Sequence, residues 1–390
     1  AAALGLATVD VDITFTSITM CCHRGNAAVP VTSMRLIRHR VLDLTRLAHV
    51  ARIADRVQRG VLDVRAAAGA LDRAVRAPHP YPRWVATAGW GGLAASIAIL
   101  LGAEPVTAVV AFVVTALIDR VGRKVGRWGL PAFFQQVIGG MLATGATLVL
   151  FAAGVFPPDT RPSLVVAACI TVLLSGLSVV GTVQDAIAGY HVTAAGRATE
   201  VALLSAGLLT GVVLALKVGV AFGLTLAVAE PLPVDLGRYS LAVLTAGTAT
   251  AAYALAGYTP LRVLPMAALA GAAGWATYGA TAQIAAFGPV VATGFAATVV
   301  GAAAGLLRRR GGVQPLVVML AGITPLLPGL VAYRGFYELA VEGVTEGLVT
   351  ITLALGIGLA LAAGVALGDF ITRPRAAMKP VEPAERDGAG

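Results

Sequence analysis

Between Trp84 and Phe370 the chain passes through ten apolar stretches, and the short segments between them hold nearly all of that region's cations. A helix needs about 20 predominantly apolar residues to cross the hydrocarbon of a bilayer. On that measure 84–102, 105–118, 133–154, 164–182 and 199–224 read as membrane spans, followed by 240–258, 263–282, 288–306, 313–328 and 344–370. The second is short, so it is either little tilted or partly re-entrant. Composition removes the alternative. Hydrophobic residues make up 57% of the chain, charged residues 13%, and the mean hydropathy is +0.83, more apolar surface than one water-soluble core can hide. The fold class expected is therefore an all-α polytopic membrane protein with the lipid bilayer as its solvent. A net charge of +9 could suggest nucleic acid, but cations clustered between apolar spans are the pattern of a membrane protein, and no nucleic-acid partner is expected.

The spans are also duplicated. PSLVVAACITVLLSG at 162–176 returns as PLVVMLAGITPLLPG at 315–329, with 8 of 15 positions identical at a constant offset of 153. Pro162/Pro315, Thr171/Thr324 and Gly176/Gly329 fall on register, and an acidic residue follows nine positions after the glycine in both copies, Asp185 and Glu338. A second pair, GVVLALKVGVAFG at 211–223 and GIGLALAAGVALG at 356–368, follows at offset 145. Agreement between apolar sequences comes easily. Two blocks in the same order, with Gly, Pro and Thr matched, argue for an internal repeat.

Charge orients the spans. With the N-terminal region cytoplasmic, the inner segments carry Arg120, Arg123, Lys124, Arg127, Arg197, Arg262, Arg308, Arg309, Arg310, Arg373, Arg375 and Lys379. The outer segments carry only Arg161, Arg238 and Arg334. Twelve against three agrees with ten spans and both termini inside. An odd number of spans per copy makes the second copy enter from the opposite side, which gives two inverted five-helix repeats. Secondary transporters are typically built so; channels and intramembrane enzymes can be duplicated too.

Residues 1–83 differ from the rest. Alternation of apolar and polar residues over 9–20 predicts a strand, with Gly25-Asn26 and Pro30 marking a turn. From Asp43 to Arg59 the period becomes helical, with Leu47, Val50, Ile53 and Val57 on one face and Arg46, His49, Arg52, Arg56 and Arg59 on the other. A second short helix over 63–76 ends at the PHPYP linker. The segment has twelve arginines and six aspartates. It reads as a small α+β cytosolic domain with a solvated charged face; a basic helix lying on anionic headgroups is the alternative. Cys21 and Cys22 are adjacent and Cys169 lies inside a span, so no disulfide framework is expected. The absence of Met at position 1 is read as a start inside a longer gene product. The organisation expected is a cytoplasmic domain and linker over 1–83, repeats over 84–228 and 229–370, and a cytoplasmic, irregular tail over 371–390.

The candidate site residues follow from the repeat. In each copy the fourth span runs into a glycine, Ser175-Gly176 and Pro328-Gly329, and in the second copy Pro325 and Pro328 each remove a backbone donor. Polar backbone freed at membrane depth persists only where it faces protein or a water-filled cavity, and such half-helices suit small charged solutes. Thr171, Ser175, Ser178 and Thr324 add hydroxyls that either hold a polar solute or bond to their own i−4 carbonyls. Asp185 and Glu338 sit at equivalent positions, either as carriers of a coupling proton or as helix caps and loop charges. Lys217, whose counterpart is Ala362, either snorkels outward or pairs with an acid near the pathway. Gln135, Gln136 and Gln283 are weaker buried-polar candidates. The glycines at 271, 274, 279, 294, 301 and 305 read as close helix packing. There is no HExxH, GxSxG, P-loop or CxxC, and the histidines form no metal set, so neither an enzyme nor a cofactor is expected.

Several stretches resemble one family. They are DITFTSITM near the start, RVQRG with the helix to ALDRAV, GLPAFFQQVIGGMLAT, the VLLSG–VQDAIAG–AGRATE series over 172–200, and ITPLLPGLVAYRGFYEL over 323–339. In that order they are similar to the bacterial threonine/serine exporters, and the likeness covers almost the whole chain. The resemblance implies a cytoplasmic N-terminal domain joined to ten membrane helices in two halves. It further implies export of L-threonine and L-serine across the cytoplasmic membrane, driven by the proton motive force. Where the second half has Pro328-Gly329 the first has Ser175-Gly176, so a softer first break is expected. Two readings stand beside this one: export of another small polar metabolite, and a regulatory or scaffold protein acting through its N-terminal domain. A homo-oligomer is compatible with the glycine-rich faces.

Overall fold

In the computed structural model, residues 8–23, 30–37, 42–158, 160–174, 176–224, 236–284, 287–310, 315–341 and 344–372 are described. The chain begins with three antiparallel strands in sequential order, β1 (Thr8–Ile13), β2 (Ser17–His23) and β3 (Val31–Leu36), with Val11 opposite Met20 and Met20 opposite Ser33. The single strand expected over 9–20 is thus a hairpin. At its turn the Thr14 amide donates to the Ser17 carbonyl (2.9 Å) and the Ser17 amide to the Thr14 hydroxyl (3.2 Å). Short hydroxyl side chains that satisfy backbone groups let the chain reverse without glycine. Gly25-Asn26 lies outside the described residues.

Two capped helices follow. The Asp43 carboxylate accepts the Arg46 amide (2.9 Å) ahead of α1 (Leu44–Gln58), and Asp63 accepts the Ala66 amide (2.7 Å) ahead of α2 (Val64–Arg76). Both helices lie where the periodicity places them.

The remaining helices form the bundle. The first six are α3 (Arg83–Leu100), α4 (Pro105–Arg127), α5 (Ala132–Ala152), α6 (Ser163–Leu173), α7 (Gly176–Ile187) and α8 (His191–Ala221). The second six are α9 (Tyr239–Ala256), α10 (Leu264–Gly279), α11 (Pro289–Arg310), α12 (Pro315–Gly322), α13 (Gly329–Val341) and α14 (Val344–Thr372). Among the described residues seven spans are long and apolar enough to cross a bilayer, one of them α6 and α7 taken together, and the bent pair α12–α13 makes an eighth. Helices α3 and α10, counted as two more spans from the sequence, are outside that set. At 16 residues α10 extends roughly 24 Å against a hydrocarbon of about 30 Å, whereas α3, as long as α9, opens on Arg83 and carries three glycines and polar Thr87 and Ser96 that lower its hydropathy. Helix α4 is longer than the short second span expected. It continues to Arg127, so Arg120, Arg123, Lys124 and Arg127 ride on its last turns rather than in a loop.

The packing recurs in the two sets. α5 lies along α8 as α11 lies along α14, α3 along α4 as α9 along α10, and α7 along α8 as α13 along α14. The small residues make this possible. A Cβ on Gly211 of α8 would collide with the Val137 carbonyl of α5, and one on Gly368 of α14 with the Thr298 carbonyl of α11. Across the sets α3 meets α9, where the Ser96 and Thr248 hydroxyls lie 3.1 Å apart.

Candidate functional site

The breaks within the two split spans come first. α6 ends at Leu174, whose backbone is extended (φ −74°, ψ 116°), and α7 starts at Gly176. In the second copy α12 passes through a 3-10 turn (Thr324–Leu326), Leu327 is extended (φ −64°, ψ 137°), and α13 starts at Gly329. Leu174 and Leu327 are themselves 153 positions apart, so extended backbone interrupts the helix at the same place in each copy. The breaks differ in sharpness. The second pair meets at 48°, while residues 163–187 run on as one 25-residue span, the softer break expected from Ser175 in place of Pro328. Ser175 itself is outside the described residues. The two breaks touch: a Cβ on Gly329 would lie 3.5 Å from the Thr171 carbonyl oxygen.

The expected hydroxyls mostly face their own helices. Thr171 donates to the Ala167 carbonyl (2.8 Å) and Thr324 to the Leu320 carbonyl (3.3 Å), both i−4 bonds. The Ser178 carbonyl accepts the Thr182 hydroxyl (2.7 Å). Pro325 lies in the 3-10 turn, and the Pro328 carbonyl accepts the Ala332 amide (2.8 Å) to open α13.

The two acids are engaged. Asp185 on α7 pairs with Arg197 Nε on α8 at 2.9 Å. Glu338 on α13, 6% exposed, accepts Arg334 Nε at 2.6 Å and the hydroxyl of Thr350 on α14. Each acid therefore ties the second half of a broken span to the helix that follows it. Lys217 is exposed on α8 four residues from its end, and among the described residues it forms no ion pair.

Beside the first break lies a cavity of about 410 Å³ that the repeat alone does not reveal. Its walls come from α3, α4 and α5, its floor from the end of α6, and Trp90, Thr115, Asp119, Arg123, Gln136 and Leu173 line it. Asp119 and Arg123 are one turn apart on α4 and ion-paired, and Arg123 also donates to the Thr87 hydroxyl on α3 (2.8 Å). Gln136 Nε2 donates to the carbonyl of Leu173 at the break (3.3 Å), while its Oε1 is buried with no hydrogen-bond partner. The neighbouring Gln135 turns back to the Leu130 carbonyl (2.7 Å). Sequence reasoning named both glutamines but passed over Asp119–Arg123, because Arg123 was counted as one of a cluster of loop cations. An acid one turn before an arginine, just after an apolar run, was the available signal.

Comparison with known proteins adds the family. A family model described as "Putative threonine/serine exporter" matches residues 1–219, and a second, "Threonine/Serine exporter, ThrE", matches 242–371. A "Probable threonine/serine exporter" of Mycobacterium tuberculosis is 40% identical over 377 residues, covering 93% of this chain and 69% of that one. The "Threonine/serine exporter" of Corynebacterium glutamicum is 34% identical over 374 residues, covering 95% and 76%. The chain belongs to the threonine/serine exporter family. With its long apolar helices, it is a multi-pass membrane protein. The two exporter-family matches part between α8 and α9, where one set of six helices gives way to the other. No solved structure matches.

Proposed function

We propose that the chain is a secondary exporter of L-threonine and L-serine in the bacterial cytoplasmic membrane, driven by the proton motive force through alternating access of two inverted repeats. The observation that carries this reading is the pair of equivalent helix breaks that touch at Thr171 and Gly329. Exposed backbone at that depth is tolerated beside a substrate path, and two related breaks in contact are where an exchange of half-conformations would open one side and close the other. Matching helix partners in the two sets support the repeat, and the excess of inner cations supports ten spans with both termini cytoplasmic. The names of the two relatives supply the amino acids. Residues 1–83 would then be a cytosolic domain and linker, 84–228 and 229–370 the repeats, and 371–390 the tail.

Asp185 and Glu338 are the proposed proton carriers, with Lys217 as a third candidate. A proton on either acid would weaken its hold on the following helix, Arg197 on α8 or Thr350 on α14. That gives protonation a mechanical consequence at a broken span. Hydroxyls and backbone at Thr171, Ser175, Gly176, Ser178, Thr324, Pro325, Pro328 and Gly329 would flank the path. The test is counterflow: proteoliposomes are loaded with unlabelled L-threonine or L-serine, and entry of labelled threonine is followed in wild type, Asp185→Asn and Glu338→Gln. Exchange with a pH-gradient response lost in one variant supports the reading. Folded protein with no exchange of either amino acid overturns it.

A further inference from the structure

We propose that the cavity beside the first break is the recognition site for the exported amino acid, holding its carboxylate on Arg123, its ammonium group on Asp119 and its side-chain hydroxyl on Gln136 Oε1. This rests on the exporter reading above. Ionised side chains among membrane helices are costly and mark substrate sites unless fully committed to one another. Asp119 is only 16% exposed and Arg123 33%, yet both face a cavity rather than packed side chains. A guanidinium and a carboxylate one turn apart present adjacent opposite charges. A zwitterion laid antiparallel beside them matches both at once, whereas an amine or an acid matches only one and a neutral solute neither.

Size and hydrogen bonding narrow the ligand further. About 410 Å³ falls within the range of small-molecule sites. The Leu173 carbonyl can only accept, so Gln136 must give it an N–H, which leaves Oε1 as the free acceptor. That oxygen is buried and unpaired, a condition native interiors avoid unless a ligand or water completes it. A serine or threonine hydroxyl completes it; the methyl of alanine does not. The apolar Trp90, Ile138 and Leu142 leave room for the extra methyl of threonine.

The device belongs to one half only. α10, which stands where α4 stands in the first set, has no charged residue between Leu264 and Gly279. A pair needed merely to hold the repeat's fold would be expected in both copies. The cavity also reaches from Gly126 and Gln135 at the cationic end of α4 down to Leu173 at the break, the route a cytoplasmic substrate would take.

The test measures binding of labelled L-threonine to the purified full chain, with competition by L-serine, L-alanine, L-threonine methyl ester and N-acetyl-L-threonine. In wild type L-serine competes, and the other three compete at least tenfold more weakly, because alanine leaves Gln136 Oε1 unpaired and each of the other two lacks one of the charges that Asp119 and Arg123 match. Gln136→Leu brings alanine to within about threefold of threonine by removing the unpaired acceptor. Arg123→Gln abolishes threonine binding. A second readout does not depend on those variants folding. Gly122 lines the cavity, and a Cβ there meets nothing within 4 Å. With Cys21 and Cys22 replaced by serine, Gly122→Cys is alkylated by a thiol reagent, and L-threonine, but not L-alanine, protects it. Wild-type selectivity retained in Gln136→Leu, or no protection at Gly122→Cys in protein that still exchanges threonine, overturns the site and leaves the exporter standing. Absence of exchange, binding and protection together overturns the exporter reading instead.

Discussion

Glu338 and Thr350 make in the second half of the bundle the contact that Asp185 and Arg197 make in the first: each partner lies 153 positions from its counterpart, and each pair joins the second half of a split span to the next helix. The chemistry differs although the position is kept, an ion pair in one copy and a hydroxyl donor in the other, with Arg334 supplying the missing charge from within α13. A contact retained by position while its chemistry drifts is the behaviour of a mechanical link.

Thr350→Val tests that link. It removes one donor to a buried carboxylate, and a hydrogen bond to a charged group contributes about 1.5–3 kcal/mol. The expected outcome is a lower midpoint of thermal unfolding in detergent, with Thr350→Ser close to wild type. Arg197→Gln is expected to lower it less, since Asp185 is 24% and Arg197 34% exposed and solvent screens that pair. Equal unfolding of all four proteins would show that the contacts carry no weight.

The N-terminal region meets the bundle at two places: the Ile13 carbonyl accepts the Thr193 hydroxyl on α8 (2.9 Å), and α1 with its linker packs on the second set of helices. Leu44 is fully buried against Val263, Ala270 and Val318, and its amide donates to the Gly257 carbonyl (2.8 Å). Tyr258, at φ +61°, stacks on His79 (4.1 Å between centroids) and Tyr81 (5.7 Å). Burial first, and Tyr258 next to it, push the Tyr81 phenol above its usual range, so it stays a donor to the Leu255 carbonyl (2.6 Å). Leu44→Ala should cost about 3 kcal/mol and Tyr81→Phe about 1 kcal/mol. Limited proteolysis of the linker around Pro78–Pro82 would rise in the same order. A linker cut equally in all variants would mean the fastening is not made by these residues.

Much of this was legible in the sequence, for identifiable reasons. Helices α1 and α2 were legible because a helical period of apolar and charged residues, and the prolines that follow α2, are local features of the chain. The breaks were legible because Pro325, Pro328 and Gly329 act on their own backbone. The hairpin turn at Thr14–Ser17 was not, since it is closed by hydroxyls in a run that otherwise alternates like one strand. The cavity was missed for a different reason. Asp119, Arg123 and Gln136 come from two helices and meet only through packing, whereas the aligned Thr171 and Thr324 mark the repeat and spend their hydroxyls on their own helices.

Close helix approach is the next expectation to test. Gly211→Val puts branched carbons where the Val137 carbonyl of α5 already lies, and Gly368→Val does the same to Thr298 on α11. Overpacking of this kind costs typically 1–3 kcal/mol and more when the obstacle is backbone. Gly122→Ala, facing open space, is the control. Folded yield by size-exclusion chromatography should fall for the first two and hold for the third; a uniform yield would mean that α5–α8 and α11–α14 are not as close as drawn.

A Cβ on Gly329 would stand 3.5 Å from the Thr171 side chain and 3.9 Å from its Cα, with ordinary room and no collision. The Thr171 Cβ, bonded to that side-chain carbon (Cγ2) and to the Cα, lies no nearer than 3.9 Å, and a disulfide needs its Cβ atoms about 3.5–4.5 Å apart, a spacing a small shift at the breaks supplies. With the native cysteines at 21, 22 and 169 replaced, Thr171→Cys with Gly329→Cys should cross-link on mild oxidation, read as loss of free thiol. Counterflow of threonine should then stop and return on reduction, because alternating access requires the two breaks to slide past each other. Cross-linked protein that exchanges at the reduced rate would place the moving interface elsewhere, and a pair that never cross-links would separate the breaks altogether.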